Sequence, residues 1–119
     1  MRYNGMTIKE LGESIAQANP GCLEYGARKH CTRLIGHEAS DTEYSLYLSG
    51  FEPIFAAWHM SKILSNLPID IEGLVYHTAM SYNMSTECTL AGVDYLIKIG
   101  SACYTDETHT YLIKGQIHE

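Results

Sequence analysis

Three groups of residues in this chain are of types that could do chemistry. The first is a cysteine with histidines. Cys103 precedes His109 by six positions, and His77 supplies a further imidazole. A thiol becomes a nucleophile when a base or cation lowers its pKa and a substrate can reach it. Cys103 with His109 or His77 is therefore the catalytic candidate. Its competitor is a sheet-buried thiol beside an exposed histidine.

The second group is a basic stripe, Arg28, Lys29 and Arg33, with His30 and His37 close by. Cations on one helix face can hold a nucleotide or another small anion. The plainer reading is a solvated face in which Glu24 pairs with Arg28.

The third is the metal question raised by four cysteines and six histidines. Structural zinc draws its ligands from tight pairs that preset a tetrahedron. Cys22, Cys31, Cys88 and Cys103 form no C-x-x-C pair, and His30 and Cys31 point about 100° apart on a helix. No metal is expected, and the thiols read as small hydrophobes. No glycine-rich phosphate loop, H-E-x-x-H, G-x-S-x-G or calcium loop is present, so no cofactor is expected either.

These residues must be positioned by secondary structure. Thr7 followed by Glu10 is a capping box opening a first helix, with Ile8, Leu11, Ile15 and Ala18 on one face and Gly12 inviting close packing. Asn19-Pro20 ends that helix and restarts the chain. A second helix is then predicted to run to Ile35, burying Leu23, Ala27, Cys31 and Leu34, with Gly36 as its left-handed stop. Thr42–Ser49 alternates with period two, which favours a strand over the alternative of a short helix. Gly50 breaks it, and Pro53 opens a third helix that Pro68 closes.

From Gly73 the composition turns β-branched and aromatic. Leu74–Met80 is predicted as a strand, with Val93–Tyr104 and His109–Ile117 as a hairpin. Burial favours a register pairing Ile97 with Ile117, Ser101 with Ile113 and Cys103 with Tyr111. The expected fold is therefore α+β, a single domain over residues 1–119. Three helices pack on an antiparallel sheet of three to four strands that ends in the C-terminal β-hairpin.

Charge narrows the function classes. Residues 1–34 carry five basic and three acidic side chains, whereas residues 35–119 carry three and eleven, for a net charge of −6. Such acidity disfavours duplex nucleic acid and anionic membranes. No apolar segment resembles a signal or a span, so a cytoplasmic protein is expected. The nine tyrosines suit either strands or an interface. The leading expectation is a small acidic protein-binding module, such as an inhibitor or immunity-type protein occupying a basic surface of its target. The alternatives are a small Cys/His enzyme and a binder of small anionic ligands or nucleotides.

Overall fold

The computed structural model describes residues 3, 5–64 and 69–104, and the backbone of 111–114. Its elements are five α-helices: α1 (Ile8–Ala18), α2 (Arg28–Ile35), α3 (Asp41–Ile63), α4 (Ile71–Tyr82) and α5 (Thr86–Lys98). Three short antiparallel strands accompany them, β1 (Ile69–Asp70), β2 (Ala102–Tyr104) and β3 (Tyr111–Lys114), in the order β1-β3-β2. The α+β expectation is thereby overturned. The protein is mainly helical, and strands of two to four residues are too short to form a platform on which helices pack.

Two corrections carry most of that change. Thr42–Ser49 is not a strand but the start of the 23-residue helix α3. That helix passes through Gly50 and keeps Pro53 inside it, although proline removes one helical donor. Likewise Leu74–Met80 lies in α4, and Val93–Lys98 ends α5. Among the described residues, Ala102–Tyr104 and Tyr111–Lys114 are the strands found of the predicted hairpin. Their register pairs Cys103 with Ile113 and Ala102 with Lys114, two residues further along β3 than expected. The predicted loop around Glu107 lies outside the described residues.

The chain divides into two compact units, Met1–Phe55 and Ala56–Glu119. In the first, the predicted capping box starts α1: Thr7 Oγ1 accepts from the Glu10 N–H at 3.2 Å, and Glu10 Oε1 accepts from the Thr7 N–H at 3.0 Å. A second box starts α3, where the Ser40 N–H donates to Glu43 Oε1 at 2.9 Å and the Glu43 N–H to Ser40 Oγ at 3.2 Å. Each such cap contributes about 1 kcal/mol.

The break at Asn19-Pro20 is present, but no helix restarts there. Leu23–Gly26 forms a 3₁₀ turn, and α2 begins only at Arg28. Leu23 is therefore exposed rather than buried, while Cys31, His30 and Ile35 face inward. Two tyrosines of α3 secure the turn by donating to consecutive carbonyls: Tyr44 Oη to Gly26 O and Tyr47 Oη to Tyr25 O, both at 2.6 Å. Burial pushes the Tyr47 phenol up to about 12.

Glycine sets how closely α1 approaches the first part of α3. A Cβ on Gly12 would run into the carbonyl oxygen of Tyr47, and one on Gly50 into the carbonyl oxygen of Lys9. Ile8, Leu11 and Ala16 of α1 and Tyr47, Phe51 and Ile54 of α3 are all buried.

The second unit repeats the device. A Cβ on Gly92 of α5 would collide with Met60 and lie 2.7 Å from the Ala56 Cβ. Asp70 caps α4 by accepting from the Glu72 N–H at 2.8 Å, and Ser85 caps α5 by accepting from the Cys88 N–H at 3.1 Å. Between them Asn83 takes the left-handed conformation (φ 55°) that ends α4. The fully buried hydroxyls of Thr78 and Thr89 join the two helices at 2.6 Å, and Thr78 Oγ1 also reaches the Leu74 carbonyl at 3.1 Å.

Helical glycines in this protein should thus differ sharply in their tolerance of alanine. Gly12→Ala should lower stability by roughly 2–3 kcal/mol, because backbone must move and overpacking outweighs the propensity gain. Gly73→Ala meets nothing nearer than the Asp70 Cβ at 4.0 Å. It should instead raise stability by about 0.5–1 kcal/mol. Urea denaturation of the two variants checks both signs.

Candidate interaction surface

Residues of α4 follow a helical period with two apolar faces. Leu74 and Thr78 are fully buried on one. On the other, Tyr76 and Met80 are four residues apart, hence neighbours on the helix surface, and are 62% and 71% exposed. The Tyr76 and His77 rings are set edge to face with centroids 6.0 Å apart. A soluble helix ordinarily turns polar groups to water on its outer side. Here a tyrosine and a methionine, both suited to adaptable contacts, occupy that position.

The charges on this helix and its cap have one sign. Asp70 and Glu72 stand at the N-terminal end of α4, and Ile71–Tyr82 contains no lysine or arginine. On α5, Glu87 and Asp94 are exposed, with Lys98 in the last turn. Leu90, Ile99 and Tyr104 are further exposed apolar residues of the same unit. The sequence reading missed Tyr76 and Met80 because alternation in a strand would place both on the same face as Leu74. Helical spacing separates them from it.

The two described catalytic candidates fall on separate elements. Cys103 is exposed on β2 and His77 is exposed on α4, with no hydrogen bond between them. His109 lies outside the described residues. No group of three histidine, cysteine or acidic side chains among the described residues could hold a metal ion. Burial pushes the Cys31 thiol up, away from reactivity.

Arg28, Lys29 and Arg33 are all exposed, yet they differ in role. Arg28 is not paired with Glu24. Its Nε and Nη2 both donate to the carbonyl of buried Ala39, at 3.0 and 2.5 Å, and its Nη1 meets Asp41 Oδ1 at 2.7 Å. Arg28 therefore fastens the start of α2 to the segment leading into α3. Glu24 instead lies 3.5 Å from both Lys29 Nζ and His30 Nε2. Those neighbours, His30 foremost and then Lys29, hold its carboxyl below the usual range. His30 is itself buried, its ring edge-on to Tyr25 with centroids 4.8 Å apart.

Comparison with protein-family models, curated proteins and solved structures finds no match for this chain. No helix among the described residues is long and apolar enough to cross a membrane.

The three cations should separate under alanine substitution. Arg28→Ala strands the Ala39 carbonyl and should cost about 1–3 kcal/mol. Lys29→Ala and Arg33→Ala should each stay within about 0.5 kcal/mol. Thermal melts of the three variants provide the comparison.

Proposed function

We propose that this protein is a protein-binding module that docks a basic partner, as a small stand-alone inhibitor or immunity-type protein does. The observation that carries the reading is the exposed Tyr76–Met80 ridge on a helix whose only charges are acidic. Tyrosine and methionine are enriched in the cores of protein interfaces, where lysine, glutamate and aspartate are depleted. Carboxylates at the edge of such a core steer a cationic surface toward it and set its orientation. The overall charge of −6 adds the same preference at longer range.

The partner's chemistry follows. It should present an apolar anchor to seat against Tyr76 and Met80, with lysine or arginine placed toward Asp70 and Glu72. Burying one large apolar side chain is worth about 1.5–3 kcal/mol, so loss of both should be severe. The charged component should weaken as salt rises, because screening acts most on rim charges.

A labelled amphipathic peptide with one leucine face and one lysine face tests this directly. It should bind the full chain measurably at low salt and more weakly at high salt. Tyr76→Ser with Met80→Ser should reduce affinity by at least about tenfold without unfolding the protein, since both residues are exposed. Equal binding of a glutamate-faced peptide would count against the proposal. So would indifference to the double substitution.

A further inference from the structure

A cleft of about 520 Å³ lies in the first unit, between the start of α1, the start of α3 and the segment that carries His37. That volume falls within the range of small-molecule sites, roughly 300–1,000 Å³. Its lining divides chemically. Tyr3, Ile8 and Leu46 supply apolar surface, while Lys9, His37 and Glu43 supply charge and hydrogen bonding. None of these six belongs to the ridge on α4, and none was singled out by the sequence for chemistry except His37.

The acid in this cleft is already engaged. Glu43 Oε1 accepts from the Ser40 N–H at 2.9 Å, and Glu43 Oε2 is 2.9 Å from His37 Nε2. The Ser40 backbone bond, followed by the His37 side chain, holds the Glu43 carboxyl below its usual range. An ionised carboxylate can only accept, so Nε2 is the donor in the His37–Glu43 contact. The ring is half exposed. It also lies near Tyr3, with ring centroids 6.3 Å apart. Lys9 also lines the cleft, and no salt bridge among the described residues joins it to Glu43.

We infer that this cleft is a binding site for a small organic carboxylate with an apolar body. The carboxylate would meet Lys9, and the body would lie against Tyr3, Ile8 and Leu46. His37, fixed by Glu43, would add a hydrogen-bonding edge that discriminates among substituents. Concave apolar walls with a few placed polar groups are the usual composition of such sites. The site is independent of the docking ridge, so one can fail without the other.

The probe is benzoate, with its uncharged isostere benzamide as control, titrated into the ¹⁵N-labelled full chain. Benzoate should shift the amide signals of residues 7–9, 37 and 43–46 in a saturable way, with benzamide at least about tenfold weaker, as loss of a charge-assisted contact implies. Lys9→Gln should reduce the preference for benzoate over benzamide. Leu46→Trp should block both by filling the cleft, and the half-exposed position keeps that variant folded. Equal affinities for the two probes would overturn the inference. So would benzoate binding that survives Leu46→Trp, or no saturable shift in this region.

Discussion

Backbone meets backbone where α1 crosses α3, and the first unit depends on that approach. Gly12 leaves room for the Tyr47 carbonyl and Gly50 for that of Lys9. Any side chain at either position would wedge the helices apart, because packed interiors have no slack for an extra methyl group set against backbone. Two consequences follow from one geometry. Tyr47, fixed at the crossing, is aligned to donate to the Tyr25 carbonyl and secure the 3₁₀ turn, with Tyr44 doing the same one turn earlier. Lys9 and Glu43 are also brought to the same cleft, since Lys9 lies at the crossing and Glu43 sits two helical turns before Gly50.

The second unit uses the same logic with different polar hardware. Gly92 admits α5 against Met60 and Ala56, and the Thr78–Thr89 hydroxyl pair fixes α4 to α5 without leaving either group unpaired. That arrangement uses one face of α4 completely. Tyr76 and Met80 are left on the other, beside acids and away from the unit's core. A buried polar pair specifies register, whereas an exposed apolar pair offers binding energy to something else. The proposed docking function rests on that division of α4.

Local signals were legible where they were treated as local signals. Thr7 with Glu10, the stop at Asn19-Pro20 and the left-handed Gly36 are all found as read. The same S-x-x-E grammar stood at Ser40–Glu43 and announced α3, but the period-two alternation of Tyr44, Leu46 and Leu48 masked it. On a helix Tyr44, Tyr47, Leu48 and Phe51 form one stripe, which period two divides between faces. Asp70 and Ser85 were likewise visible caps for α4 and α5. The β-branched and aromatic composition of residues 73–80 outweighed them in the reading. Tertiary context decided otherwise: Thr78 is tolerated in α4 because its hydroxyl bonds back to the Leu74 carbonyl and across to Thr89. The cleft was not legible, since His37, Glu43 and Lys9 meet only through the packing of separate elements. The ridge was legible in principle, once residues 71–82 are taken as a helix.

The glycine crossing can be observed without altering the protein. In a ¹³C-edited NOE spectrum of the full chain, the Gly12 Hα protons should give cross-peaks to the Tyr47 backbone region, and the Gly50 Hα protons to Lys9 Hα. Within Thr42–Ser49 the Cα shifts should be helical throughout. Strand-type shifts over those residues, or absence of both sets of glycine cross-peaks, would contradict the account of how this chain builds its site.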